Sequence, residues 1–307
     1  MDLLTIFVNI ILPIFIIVGI GALLHLQFRF DMNTLVKINI YYLVPGLILI
    51  RLYETNLTMN LFFTVFMLFI LYSVILYVVS FIISHIFHFK QTMRTAFMNS
   101  TLYYNSGNYG VPVNDLVFRQ DPFAMSIQII ILTLQNLLLY SFGIFSVQAS
   151  KIGKFKAFID YLKMPVTYAM IIGIGLNIFD IPLPEFLYTS GTYIANALIG
   201  IALLTLGAQV AQLKFSKNLM TVYLSVIMRL VVGPTLAYLI IVVTNVEGVI
   251  AQAFFIASAM PTSVTTSIIA QEYDNEPEFA AQAVLASTFF SMVTVTIVIY
   301  LSTIIYI

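Results

Sequence analysis

The sequence contains no cysteine and no tryptophan, and only 8% of its 307 residues are charged. Without cysteine the chain has no disulfide, no thiol nucleophile and no thiolate ligand for a metal. Soluble domains carry roughly 25% charged residues, so this composition excludes an ordinary soluble domain. The formal net charge is zero. We therefore expect no basic surface and no nucleic-acid partner.

The chain is instead rich in long apolar runs: 61% of its residues are hydrophobic and the mean hydropathy is +1.03. A membrane-spanning helix needs about 20 predominantly apolar residues. The first apolar run lacks the charged region and cleavage site of a removable signal peptide. We therefore expect an all-α, multi-pass protein in a lipid bilayer. The ten predicted spans are residues 4–24, 34–52, 60–84, 92–118, 123–147, 164–180, 189–209, 218–243, 248–271 and 279–305.

Lysine and arginine are distributed unevenly between the connections. The odd-numbered connections hold ten of these residues, whereas the even-numbered ones hold only Arg51 and Arg119. Because such an excess marks the cytoplasmic side, we expect the odd connections in the cytoplasm and both termini outside the plasma membrane. The ten residues are Arg29, Lys37, Lys90, Arg94, Lys151, Lys154, Lys156, Lys163, Lys214 and Lys217.

The longest polar connection, residues 148–163, divides the chain into halves of five spans, 1–150 and 151–307. Five is an odd number, so the second half would enter the membrane upside down relative to the first. The sequence therefore predicts two inverted five-helix repeats.

A short motif supports this division. IIVGIG at Ile16–Gly21 reappears as IIGIG at Ile171–Gly175, with the glycines 154 positions apart. The same separation carries Gly107, in the fourth span, onto Pro261, in the ninth. Both residues lie where we expect a broken helix.

The first predicted break is the stretch NSGNYGVP within the fourth span. Glycine and proline do not sustain a helix there, and unpaired backbone at that depth must line a wet cavity or be buried in protein. The half-helix after the break would offer free N–H groups and a positive dipole end to an anion. We expect Gly107 and Gly110 to hold the backbone open, with a positive φ at Gly110. A simple proline kink is the structural alternative. The predicted site residues are Asn105, Gly107, Asn108, Gly110 and Pro112.

The second predicted break, Ala259–Ser267 in the ninth span, is rich in hydroxyl groups. Hydroxyls can bind an anion or an ion, although each can also bond to a carbonyl of its own helix. The predicted site residues are Pro261, Thr262, Ser263, Thr265 and Thr266.

Arg229 lies near mid-depth in the eighth span, where a cation costs at least ~2.5 kcal/mol and usually marks function. It either provides positive charge to the substrate site or pairs with Asp115, the deepest acid; both interpretations stay open. Other polar residues within spans are expected to form interhelical hydrogen bonds: Asn39, Tyr42, Gln135 and Asn136.

We expect no enzyme activity, no cofactor and no metal site. His25, His85 and His88 do not have metal-ligand spacing. The sequence also lacks a GxSG serine motif and a pair of aspartates in the pattern of intramembrane proteases.

NSGNYGVP resembles the NxGNxGxP signature of the auxin efflux carrier family, which includes plant PIN exporters and bacterial malate or malonate permease-like proteins. The resemblance implies a bile-acid-symporter or sodium/proton-antiporter type of fold, with broken, crossing fourth and ninth helices. It also implies a scaffold of helices 1, 2, 6 and 7, a moving transport domain of helices 3–5 and 8–10, and a homodimer. Supporting stretches are Asn39–Pro45, Lys163–Pro165, Ala202–Gly207, Pro234 and Ala259–Pro261.

Three departures from the family pattern are visible. One is Met164, which replaces the asparagine often found before the sixth-span proline. The long central loop of many PIN exporters is missing, so we do not expect control by phosphorylation there. The ninth-span break carries hydroxyls instead of an amide.

The expected function is secondary transport of a small organic anion, a carboxylate or dicarboxylate, by an elevator-type alternating-access mechanism. One alternative is a cation-coupled symporter or antiporter of the same fold. Against it, the sequence predicts no carboxylate near either break except Asp115. The other alternative is a membrane receptor that transports nothing.

Overall fold

The computed structural model describes residues 2–54, 59–143, 146–147, 165–212 and 219–306. Within these ranges the chain is helical, and its only β-type pairing is one isolated antiparallel bridge. A helix satisfies its own backbone N–H and C=O groups, which lipid cannot do. The all-α prediction is therefore confirmed for the described residues.

The described helices have these bounds: α1 (Leu3–Phe28), α2 (Met32–Glu54), α3 (Asn60–Ile86), α4 (Gln91–Leu102), α5 (Val111–Val117), α6 (Pro122–Leu138), α7 (Pro165–Ile178), α8 (Glu185–Gln212), α9 (Met220–Thr244), α10 (Gly248–Ser258), α11 (Val264–Glu272) and α12 (Pro277–Ile305). Six of them, α1, α2, α3, α8, α9 and α12, are long and apolar enough to cross a membrane. The structure thus has the helices of a multi-pass protein, while the count of ten crossings and the inverted repeat stay predictions.

Both spans are broken, but the first break lies at residues 103–105, ahead of Gly107 and Gly110, which belong to a helical turn. The expectation that these two glycines hold the backbone open is therefore wrong. α4 ends at Leu102, and helical structure resumes at Ser106 with a π turn that continues into α5. α10 ends at Ser258, and α11 begins at Val264. Each broken span therefore consists of two short helices separated by a few extended residues.

Wide π turns recur along the described helices. They lie within α1, α2 and α9, before α5 and after α6. Such turns leave a local irregularity in the hydrogen-bond ladder and are frequent at functional sites. Their bounds are Phe7–Ile11, Asn39–Leu43, Met228–Val232, Ser106–Gly110 and Leu139–Gly143.

Glycines allow α1, α2, α7 and α8 to pack closely together. A Cβ atom on Gly207 of α8 would overlap the Val18 carbonyl of α1. A Cβ on Gly173 of α7 would lie 3.1 Å from the Leu49 carbonyl oxygen of α2. Close backbone approach of this kind is how helices associate in membranes. These four helices correspond to the first, second, sixth and seventh predicted spans, which the resemblance assigns to the scaffold. That division stays a prediction.

Hydrogen bonds between connections show which ends of the helices lie together. At one end, Thr92 Oγ1 donates to Glu276 Oε1 at 2.7 Å, which joins the first turn of α4, next to the third connection, to the ninth connection. At the other, the Leu183 N–H donates to the Tyr53 hydroxyl at 3.1 Å, which joins the sixth connection to the end of α2. The ninth connection therefore lies beside the start of α4, and the sixth connection lies beside the end of α2.

Candidate functional site

The two breaks cross in a short antiparallel pairing. The Asn105 N–H donates to the Pro261 carbonyl at 2.7 Å, and the Ser263 N–H donates to the Tyr103 carbonyl at 2.9 Å. These bonds satisfy backbone groups that the breaks would otherwise leave unpaired. The two breaks contribute equivalent groups to this pairing. Tyr103 and Pro261 each accept through a carbonyl, and Asn105 and Ser263 each donate through an N–H. The pairing does not follow the offset that carries Gly107 onto Pro261.

Two glutamines of α6 satisfy carbonyls on both sides of the first break. Gln128 Nε2 donates to the Ser106 carbonyl at 2.8 Å, and Gln135 Nε2 donates to the Leu102 carbonyl at 3.2 Å. Both side chains are buried. The interhelical bonding expected of Gln135 is therefore seen, whereas the role of Gln128 was not foreseen.

The reason for glycine at position 110 differs from the one expected. Gly110 has φ −67° and ψ −42°, an ordinary right-handed helical conformation, so the expectation of a positive φ is wrong. A Cβ atom there would instead lie 2.6 Å from Gln128 Nε2. Gly110 thus makes room for the Gln128 amide. At Gly107 a Cβ would make only an ordinary contact, 3.4 Å from Leu132 Cδ1.

A cavity of about 280 Å³ lies beside the crossing. Its wall combines the first turns after both breaks with residues of α2, α6 and α8. It therefore lies where α2 and α8, two of the four glycine-packed helices, meet the broken spans. The predicted site residues in its lining are Asn105, Gly107, Asn108, Ser263 and Thr265.

The other predicted site residues lie outside this lining. Thr262 Oγ1 donates to the Ser100 carbonyl at 2.8 Å, and Thr266 Oγ1 donates to the Ser263 carbonyl at 2.6 Å. Their hydroxyls satisfy backbone carbonyls, as Ser and Thr commonly do in membrane helices. The full set outside the lining is Gly110, Pro112, Arg229, Pro261, Thr262 and Thr266.

Several polar residues of the lining were not predicted as site residues. Thr205 and Gln209 come from α8, and Glu272 comes from the end of α11. Glu272 corrects the expectation that no carboxylate except Asp115 lies near a break. Its sequence signal was the acidic ninth connection. Asn39, Gln135 and Asn136, expected only to join helices, complete the polar lining.

The cavity leaves hydrogen-bonding groups without a protein partner. Asn108 is partly exposed, and within the described residues its side-chain amide makes no hydrogen bond. The Nδ2 donor of Asn105 and the Oδ1 acceptor of Asn39 are buried and also have no hydrogen-bond partner among the described residues. So are the Oε1 acceptors of Gln135 and Gln209. Buried polar groups ordinarily find partners, so these atoms suit a polar ligand.

The first turns of two helical segments border the cavity. Ser106, Gly107 and Asn108 open the segment that continues into α5, and the N–H groups of a first helical turn have no partner within the helix. On the other side Ser263 caps α11, with its Oγ accepting from the Thr265 N–H at 3.3 Å. Both positive helix ends therefore lie at the cavity.

Arg229 is fully buried and joins the opposite ends of the same crossing. Its Nη1 donates to the Thr101 carbonyl at 2.7 Å, in the last turn of α4. Its Nη2 donates to the Ser258 carbonyl, at the end of α10, and to the Tyr72 hydroxyl at 2.6 Å. The guanidinium thus neutralises the negative C-terminal ends of α4 and α10, the helices that precede the two breaks.

Neither role predicted for Arg229 describes these contacts. Within the described residues its hydrogen-bond partners are two carbonyls and a hydroxyl, and Asp115 is not among them. It does not line the cavity, but its guanidinium lies 4.9 Å from the ring centroid of Tyr104, which does. Gly233, four residues later, leaves room for the guanidinium, because a Cβ there would lie 2.8 Å from Nη2.

Comparison with known proteins shows which kind of protein this chain is similar to. The family described as membrane transport protein matches residues 150–299. This match confirms the resemblance to that transporter family. The NSGNYGVP motif lies outside the matched residues, so the two halves of the chain provide separate evidence.

One curated relative extends this result. An uncharacterized transporter of Methanocaldococcus jannaschii is 22% identical over 141 residues, which are 45% of this chain and 46% of the relative. The matched segment thus spans about half the length of that relative. Both comparisons support a membrane transporter.

Proposed function

We propose that the protein is a secondary transporter that moves a small organic anion through the cavity beside the crossing. The observation that carries this proposal is the Asn108 amide. It is unbonded within the described residues, borders the cavity, and lies in the first turn after a broken helix. An amide N–H there, together with a positive helix end, can bind a carboxylate.

The lining favours a monocarboxylate over a dicarboxylate. No lysine, arginine or histidine lies in the described lining, and Glu272 contributes a negative charge. A second carboxylate on the substrate would therefore meet repulsion without a compensating cation. A cavity of about 280 Å³ also requires a small substrate.

The position of the cavity supports an elevator-type mechanism. Asn39, Thr205 and Gln209 belong to the helices of the proposed scaffold, whereas Asn105 and Thr265 belong to the crossing. Displacement of the crossing relative to α2 and α8 would carry a bound substrate across the membrane. A homodimer joined through the scaffold, as the resemblance implies, would hold that scaffold still.

Counterflow in proteoliposomes tests this function. Only a carrier accelerates the exchange of labelled substrate against unlabelled substrate inside, whereas a receptor does not. We expect at least one small monocarboxylate to exchange, and Asn108→Ala to abolish most of that exchange. If no carboxylate that stabilises the protein exchanges faster than in empty liposomes, the protein is a receptor and the transport proposal is wrong.

Glu272 favours a second candidate function, cation-coupled transport of the same substrate. Its carboxylate shares the cavity lining with unpaired amide oxygens such as those of Asn39 and Gln209, which are suitable ligands for a hard cation. In this case an imposed sodium or proton gradient should drive accumulation, and Glu272→Gln should uncouple transport from that gradient. Equal uptake with and without every gradient would exclude coupling.

A further inference from the structure

A second cavity, of about 260 Å³, lies between α3, α4 and the residues that follow α6. It shares no lining residue with the cavity at the crossing. One face of α4 forms its floor, with Arg94, Met98 and Leu102 at four-residue spacing. Tyr77 and Phe142 stand at its side with their rings 5.6 Å apart. We call this cavity the Arg94 cleft.

The Arg94 guanidinium has hydrogen-bond donors to spare. Its Nη2 makes one long bond, 3.3 Å, to the Phe89 carbonyl, and its Nε is buried without a partner in the described part of the chain. The guanidinium also lies 5.7 Å from the Phe81 ring centroid. The nearby acid Glu276 accepts from Thr92 and forms no ion pair with Arg94 in the described residues. The described lining of the cleft contains no acidic residue.

Asn99 provides a second unused donor deeper in the cleft. It is only 8% exposed, and its Oδ1 accepts from Ser146 Oγ at 3.1 Å. Within the described residues its Nδ2 makes no hydrogen bond. A buried asparagine with free N–H groups indicates a ligand that carries an acceptor.

The order of these groups along α4 is that of an amphiphile. Arg94 lies in the first turn, near the exposed Lys90, whereas Leu102 lies eight residues, or about 12 Å, further along the helix. The charged group is therefore at the surface end, and the apolar and aromatic surface lies deeper. We propose that the Arg94 cleft binds an anionic membrane phospholipid.

The phosphodiester of the lipid accepts from the Arg94 guanidinium, whose planar fork matches phosphate oxygens. An ester carbonyl of the glycerol accepts from Asn99 Nδ2. The first part of an acyl chain lies along Met98 and Leu102, beside Phe142. This site is independent of the proposed transport function, because none of its residues borders the cavity at the crossing.

Thermal-shift titration of the purified full-length protein in detergent tests the proposal. Phosphatidylglycerol should raise the melting temperature saturably, and phosphatidylcholine should do so more weakly. Arg94→Gln should raise the apparent Kd for phosphatidylglycerol at least about tenfold, because charge-assisted hydrogen bonds are lost. The matched control, Lys90→Gln, removes an exposed neighbouring charge outside the lining and should leave the Kd within about twofold.

Further variants keep the test decisive if Arg94→Gln does not fold. Arg94→Lys keeps the charge but loses the fork, and Asn99→Leu removes the inner donor; each should weaken phosphatidylglycerol binding several-fold. An unchanged Kd in all the variants that fold would overturn the proposal. So would an equal loss in Lys90→Gln, which would indicate surface potential alone. Inorganic phosphate that reproduces the Arg94-dependent stabilisation would show a site for the free anion instead of a lipid.

Discussion

At the scale of single residues, the crossing contains polar groups that border the cavity without a protein partner and polar groups that bond to the backbone. Asn108 is free within the described residues, whereas the Gln128 amide bonds to the Ser106 carbonyl. Thr265 borders the cavity, whereas Thr266 bonds to its own helix. Polar side chains at the crossing, even the neighbouring threonines at 265 and 266, therefore differ in whether they border the cavity or bond to the backbone.

Asn108→Ala should weaken substrate binding without unfolding the protein. One lost charge-assisted hydrogen bond costs about 1.5 to 3 kcal/mol, or roughly 10- to 100-fold in affinity. The measurement is the Kd of a stabilising carboxylate, with expression and melting temperature recorded in parallel. Ser267→Ala is the control, because Ser267 does not line the cavity and its hydroxyl bonds to the Val264 carbonyl. If Asn108→Ala binds the carboxylate as tightly as the parent protein does, Asn108 is not part of the substrate site.

The glycines on either side of Asn108 should respond differently to alanine. At Gly110 the new methyl group would displace the Gln128 amide, which leaves the Ser106 carbonyl unsatisfied and costs about 1 to 3 kcal/mol. At Gly107 the methyl group fits, and the variant should be as stable as the parent or slightly more stable. The melting temperatures of the two variants measure this difference. Equal stability of the two variants would contradict the role assigned to Gly110.

Arg229→Gln should destabilise the protein, because two buried carbonyls lose their donor at about 1 to 3 kcal/mol each. Arg229→Lys keeps the charge but not the planar fork, so its melting temperature should fall between those of Arg229→Gln and the parent. Adding Asp115→Asn to Arg229→Gln should restore nothing. Restoration by that double change would show instead that Arg229 and Asp115 form a structural ion pair.

At the scale of elements, the sequence predicted where helices break better than which faces they pack. Glycine and proline at Gly107, Pro112 and Pro261 indicated the breaks, and five predicted site residues border the cavity. Thr205, Gln209 and Glu272 were missed. A helix in lipid is apolar on all sides, so periodicity does not reveal which of its faces is turned inward. These residues reach the cavity through packing between distant helices.

The close contact between α1 and α8 depends on one face of α8. Gly207→Ala should be destabilising by about 1 to 3 kcal/mol, because its Cβ would overlap the Val18 carbonyl and push the helices apart. Gly200→Ala is a matched control on the same helix, since no atom lies within 4 Å of its added Cβ. The control should be neutral or slightly stabilising through its helix propensity. If both variants melt at the parental temperature, glycine does not determine this contact.

At the scale of the whole molecule, local composition could predict a helical membrane protein, whereas the inverted repeat stays a prediction. Hydropathy and residue charge are summed over each span, so they indicate spans directly. A repeat offset instead depends on loop lengths. The glycine motifs relate the halves at one separation, whereas the hydrogen bonds of the crossing, Asn105 to Pro261 and Ser263 to Tyr103, do not follow it.

The orientation in the membrane is the last prediction, and a cysteine-free chain is suited to testing it. The basic residues predict that the third connection faces the cytoplasm and the sixth faces outside. Lys90 and Pro182 are exposed in these two connections. In intact cells, an impermeant thiol reagent should therefore label Pro182→Cys and leave Lys90→Cys unlabelled until the membrane is permeabilised. The parent protein, which has no thiol, provides the background. The opposite pattern would show that the protein has the reverse orientation. The acidic ninth connection, whose Glu276 bonds to Thr92 at the start of α4, would then face outside together with the third connection.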